Sequence, residues 1–205
     1  MFSAFQALAK KHVTLALFST MRLHKVQAMM DLRQAVEAGA SAAYAIANPD
    51  HTHFVDTDKH GILDPSQGLA RKRYKWLDKS YPQASKAIQE IKDKINATTA
   101  HANLISAYGM SQTIEDEGWF SEPFFDIEDT HFVKTDLWMI ANAALTLMHV
   151  FYEVNEKLNV IKFVDNFWPS IQRLGERNGA LRQEMMASDR FKKAMEHEKA
   201  RTSGG

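Results

Sequence analysis

His101 lies in the stretch Ile95-Asn96-Ala97-Thr98-Thr99-Ala100-His101-Ala102-Asn103, among small, polar and aliphatic residues. An imidazole titrates near neutral pH, so a histidine in such a setting can carry a proton to or from a reacting group. A second constellation lies nearer the start of the chain. Arg33 and Glu37 are four residues apart, which puts them on one face of a helix. Both helices are rich in small residues, so they pack closely on their neighbours, and an Arg–Glu pair near such a face must be paired or reach water. Two readings compete. His101 is a catalytic group, or Arg33, Glu37, Asn96, Asn103 and His101 form a polar network that fixes helix register. The network accounts for every residue without chemistry and is the preferred reading.

Other residues invite chemistry with less support. His51, His53 and His60 fall in one polar loop, and imidazole is a common zinc ligand, but no supporting residues are visible around them. The same loop imitates a calcium site, with Asp56, Asp58 and Gly61 at the first, third and sixth positions. His60 and Gln67 then stand where oxygen donors are needed, including the bidentate one, so the match fails. Arg71, Lys72, Arg73 and Lys75 make a short basic run, read as a solvated helix face with RNA binding as the functional alternative. There is no Ser-His-Asp pattern, no His-Glu-x-x-His, no pair of Glu-x-x-His motifs for a di-iron bundle and no Gly-rich phosphate loop. No metal and no cofactor is expected.

The elements that must position these residues are helical. The 205 residues are 45% hydrophobic, enough for a sizeable core, and 25 Lys plus Arg balance 25 Asp plus Glu. No global field therefore draws in nucleic acid or an anionic membrane. Cysteine is absent, which excludes disulfides, thiolate metal sites and thiol nucleophiles. No apolar run reaches 18 residues, so no membrane span is expected, and no secretory signal is evident; a cytoplasmic location follows as the expectation. Residues 3–47 predict one very long helix or two broken near 20–25, ended by Asn48-Pro49-Asp50. Residues 50–67 read as a polar Ω-type loop. A short helix from Ser66 stops at Ser80-Tyr81-Pro82, and Pro82 opens the next, which runs to about Tyr108. Residues 111–128 predict a small β-hairpin insertion. Asp129-Thr130 then caps an apolar helix to about Leu158, another helix covers 164–186, and an amphipathic segment follows. The fold class is mainly α: a single-domain antiparallel helical bundle over residues 1–200, with 201–205 as a flexible tail. The apolar stripe of the first twenty residues is expected to be covered.

Leu32-Arg33-Gln34-Ala35-Val36-Glu37-Ala38-Gly39-Ala40-Ser41-Ala42-Ala43-Tyr44, followed by the Asn96…His101-Ala102-Asn103 stretch, resembles the HEPN-like helical proteins, including uncharacterised bacterial members. The resemblance covers roughly residues 25–158 and rests on two short segments and helix order. It implies an antiparallel helical bundle, often a homodimer, and in active members metal-independent RNA cleavage linked to toxin–antitoxin or phage-defence systems. Active members carry Arg-x4-6-His. His101 matches the histidine, but Lys94 stands in place of the arginine, and no arginine lies between Lys86 and His101. Lysine lacks the planar, bidentate fork. The resemblance therefore implies a non-catalytic module that binds a protein partner or RNA, with an endoribonuclease using His101 as the alternative and a histidine-loop metal protein as the third reading.

Overall fold

Small residues govern how this chain packs. In the computed structural model, which describes residues 1–57, 60–61, 63–65, 68–98, 112–114, 119–121 and 130–193, the central element is an alanine-rich helix. Helix α1 (Phe2–Met21) runs into a tight turn at Arg22-Leu23-His24 and is followed by α2 (Lys25–Ala47). The sequence left one helix or two open; Leu23, at φ 57°, breaks the run. The two helices are antiparallel: Phe5 of α1 packs against Phe54, just past the end of α2, while His12 meets Asp31. From Ala38 to Ile46 every residue of α2 is buried. Its side chains there are mostly methyl groups, so neighbouring backbones approach closely. At Gly39 a Cβ would stand 2.4 Å from a Leu147 methyl carbon.

Three further long helices complete the bundle. Helices α3 (Leu69–Ser80) and α4 (Pro82–Thr98) form a hairpin with Tyr81 at its corner, and both pack on α2. Pro82 opens α4 where its missing N–H costs nothing. Helix α5 (Thr130–Leu158) packs on α1, α2 and α4. Its segment Val133–Leu158 is long and apolar enough to cross a membrane by length and composition, and 33% of its apolar window is buried against the bundle. One continuous apolar cluster joins Ala16 of α1, Leu32 and Val36 of α2, Leu77 of α3, Ile88 and Ile95 of α4, and Leu147 and Val154 of α5. The architecture is mainly α and bundle-like.

Helix α6 (Phe167–Ala187) is different, because its one close neighbour among the described helices is α5. Asn155 builds the turn that returns the chain. Its Oδ1 accepts from the N–H groups of Val160 (3.0 Å) and Ile161 (2.7 Å), and its Nδ2 donates to the Ile161 carbonyl. Stacked rings then fasten the start of α6: Tyr152 lies 4.5 Å from Trp168, and Phe163 lies 4.3 Å from Phe167, between centroids.

Two expectations change. Residues 50–67 are not an open Ω-type loop. A 3₁₀ turn at His51–His53 leads into strand β1 (Val55–Thr57), which pairs antiparallel with β2 (Leu63–Pro65). Backbone pairing won because Gly61, at φ 79°, supplies the left-handed residue a tight reversal needs. The outer side of α1 is not covered within the chain: Phe18 and Met21 are 52% and 54% exposed. The second hairpin falls where the sequence put it, with β3 (Gln112–Ile114) antiparallel to β4 (Trp119–Ser121). The predicted end of α4 near Tyr108 and the tail at 201–205 lie outside the described residues.

The Gly39 contact yields a test. Gly39→Ala raises intrinsic helix propensity by about 1 kcal/mol, but overpacking against buried Leu147 costs about 1–3 kcal/mol. A lower denaturation midpoint is therefore expected. Leu147→Ala, costing about 2–5 kcal/mol alone, should cost less in the Gly39→Ala background, because the new methyl fills part of the cavity. Denaturant unfolding of the four proteins measures this coupling; simple additivity would contradict it.

Candidate functional site

The polar residues along α2 form a connected line. Arg33 Nε lies 3.4 Å from Glu37 Oε1, and Arg33 Nη1 donates to Asn96 Oδ1 at 2.8 Å, tying α2 to α4. One turn further, Ser41 donates to the Glu37 carbonyl and receives a hydrogen bond from Arg73 of α3. Arg33, Glu37 and Ser41 thus repeat every four residues on one face. The pair Arg33 and Glu37 is about one-third exposed, so it is wet at one end and fastened at the other. His101 and Asn103, assigned to the same network, lie outside the described residues. Ser41 and Arg73 were missed: a serine in an alanine run carries no signal, and the sequence does not reveal which face of α3 turns inward.

Arg73 also corrects the reading of the basic run. It is only 6% exposed and stacks its guanidinium 4.8 Å from the Tyr74 ring centroid. The four cations therefore do not share a surface. Arg71, Lys72 and Lys75 face solvent, while Arg73 sits on the inward stripe of a strongly amphipathic helix. Another pairing went unread. Asp31, 6% exposed, is held by His12 Nδ1 at 3.0 Å and Gln27 Nε2 at 2.9 Å and fixes α1 on α2.

The histidine loop does not gather a metal site among the described residues, where no three His, Asp or Glu groups converge. Its geometry explains why. Asp50 caps the 3₁₀ turn by accepting from the Thr52 N–H at 2.9 Å. That hydrogen bond, helped by the Thr52 hydroxyl and then by the charges of His51 and His53, lowers the Asp50 pKa. His51 lies exposed beside Asp50, while the His53 ring meets the edge of Tyr44, 6.1 Å away. Asp56 sits opposite Asp64 across the hairpin, each committed to a strand, so the calcium-like spacing does not become a calcium-like loop. Asp58 and Gln67 are outside the described residues.

The arrangement richest in chemistry is a cavity of about 410 Å³ where the ends of three helices meet. Lys94 reaches it from the last turns of α4. His131, Thr135 and Trp138 line it from the start of α5, spaced by four and three so that they share a face. Arg182 enters from α6, and Arg190 and Phe191 from the segment beyond. Trp138 is held in place, since its Nε1 donates to the Asn178 carbonyl at 3.1 Å. The Arg182 guanidinium lies 5.9 Å from the Trp138 ring centroid. Three Lys or Arg side chains, a histidine and two aromatic rings thus line one recess, with no Asp or Glu among its described lining residues. The first turn of α5 adds the partial positive charge of a helix N-terminus. Trp138 and Arg182 also wall a second recess of about 420 Å³, bordered by Asn142, His149 and Glu153. Burial, and then the Glu153 charge, raise the pKa of the nearby Tyr81 phenol.

The composition of the first recess suits an anionic ligand carrying a flat ring. The exposed cations of α3 do not line it. Among the described residues singled out from the sequence as site candidates, Lys94 alone is part of it. The others are too far apart in sequence to be grouped without the fold. Comparison with protein-family models, with curated proteins and with solved structures finds no match to this chain.

The α2–α4 contact predicts a structural rather than a binding phenotype. Asn96→Ala removes the acceptor for Arg33, which keeps partial access to water, so a loss of about 1 kcal/mol is expected. Thermal and denaturant unfolding measure it, and Arg33→Ala in the Asn96→Ala background should then cost less than in the parent protein.

Proposed function

We propose that the protein is a HEPN-like helical-bundle binding module that takes single-stranded RNA in the recess between α4, α5 and α6. The observation that carries this reading is the convergence of Lys94, Arg182 and Arg190 around Trp138 and Phe191. Cations neutralise phosphates, and an aromatic face stacks a base of any identity. On this reading the protein works as a homodimer in the cytoplasm and needs no metal or cofactor. A role in toxin–antitoxin or phage-defence systems is part of what the family resemblance brings.

A second reading is metal-independent RNA cleavage using His101 and Lys94. Lys94 favours it, because its side chain lines the recess where a phosphate would sit, seven residues before His101 in the chain. Binding remains preferred, since lysine replaces the arginine of active members and cannot supply its bidentate clamp.

One set of assays separates the readings. Fluorescence anisotropy with a labelled single-stranded RNA should show binding that falls with salt. Three phosphate contacts give a log–log slope of about −2. Arg182→Ala and Arg190→Ala should each flatten that slope by about 0.7 while leaving unfolding unchanged, because both residues are exposed. Absence of binding at low salt would end the proposal. RNA incubated without metal should stay intact; cleavage by the parent that disappears in a folded His101→Ala variant would establish the enzyme instead.

A further inference from the structure

We propose that the outer face of α1 docks on the surface of an anionic lipid bilayer. This inference is independent of the RNA reading. Helix α1 turns only Ala9, Ala16 and Thr20 fully into the bundle. Leu8, Leu15, Leu17, Phe18 and Met21 are 38–54% exposed. At 100° per residue these five side chains spread over about half the circumference, from Leu17 round through Phe18 to Leu8. Ser3, Lys10, Lys11 and Thr14 are exposed between them on the same arc, so the outer face mixes large apolar side chains with cations and hydroxyls.

Charge identifies the occupant. Residues 1–30 carry four Lys or Arg and no Asp or Glu, whereas the whole chain is balanced at 25 of each. Lys10 and Lys11 are exposed on the same outer half of α1, and Arg22 is exposed at the turn that follows it. A second copy is poorly suited to this face. Two-fold pairing of α1 with itself would set those cations against their own copies, with no acid on the helix to pair them. The apolar arc is also too broad for the narrow seam of a coiled coil. A bilayer interface accommodates both features, since acyl chains deform around scattered apolar side chains and anionic headgroups meet the lysines. The helix, about 30 Å long, would lie in the plane of the interface with the bundle above it.

Flotation of the full chain with phosphatidylcholine vesicles, with and without about one-third phosphatidylserine, tests the inference. Flotation is expected with the anionic vesicles, weakening as salt rises. Lys10→Gln with Lys11→Gln should lower the vesicle partition coefficient about 30-fold, roughly fivefold per charge. Leu15→Ser with Phe18→Ser should also abolish flotation. All four positions are exposed, so the folded state should persist, checked by circular dichroism, and RNA anisotropy should be unchanged. Failure of the parent protein to float, or flotation indifferent to the lysines, would overturn the proposal. So would light scattering that shows a dimer dissociated by Phe18→Ser in a protein that ignores vesicles.

Discussion

Close approach to α2 is the constraint on which the rest of this structure depends. The segment from Ala38 to Ile46 is buried on every side, which only small side chains allow for a helix with neighbours on several faces. Gly39 marks the tightest point, where Leu147 of α5 occupies the volume a Cβ would take. Once α5 is seated there, its remaining faces are fixed. One meets α1 through Phe151 and Phe2, and another presents Trp138 and His149 outward. The position of the recess therefore follows from a glycine some distance along the bundle.

Polar contacts refine a register that packing alone leaves loose. Alanine surfaces are smooth and tolerate sliding, so each pair of helices needs a directional contact. His12 and Gln27 on Asp31 set α1 against α2. Arg33 on Asn96 sets α2 against α4, Arg73 on Ser41 sets α3 against α2, and Lys25 on Asp136 links α2 to α5. Apart from the Gln27–Asp31 bond, which lies within α2 and orients the carboxylate, each joins different elements at a defined height. Buried or half-buried ion pairs contribute little net stability, but they penalise a shifted register heavily, since the wrong one leaves a charge unpaired.

Helix periodicity made most elements legible from sequence. The start of α4 at Pro82, the span of α5 and the second hairpin follow from local chemistry: a proline, apolar spacing, clustered aromatics. One helix or two over residues 3–47 stayed open, and it is Leu23 that breaks the run. What escaped needed partners. Arg73 belongs to a basic run whose inward member only the packing of α3 on α2 selects. The hairpin at Val55–Pro65 hides in residues that also imitate a calcium loop, because Asp, Gly and His serve turns and ligand sets alike. The recess was invisible because Lys94, Trp138, Arg182 and Arg190 are spread over nearly a hundred residues, with no spacing rule connecting them.

Incomplete packing is where the bundle keeps its chemistry. Helix α6 rests on α5 alone among the described helices, and only Ile171 of it is buried. It also contains Gly175 and Gly179, whose added Cβ atoms would meet nothing within 4 Å. Those glycines permit no close approach of the kind seen at Gly39, and each weakens the helix by roughly 1 kcal/mol relative to alanine. A second flank of the α5–α6 contact is likewise open, as an apolar recess of about 400 Å³ beside Met148 and Leu174. Helix α6 is held by stacked rings at its start and by the Trp138–Asn178 hydrogen bond further along, whereas α2 cannot move without voiding the core. The same division separates the packed residues around Arg33 from the open recess around Trp138 that the proposed binding would use.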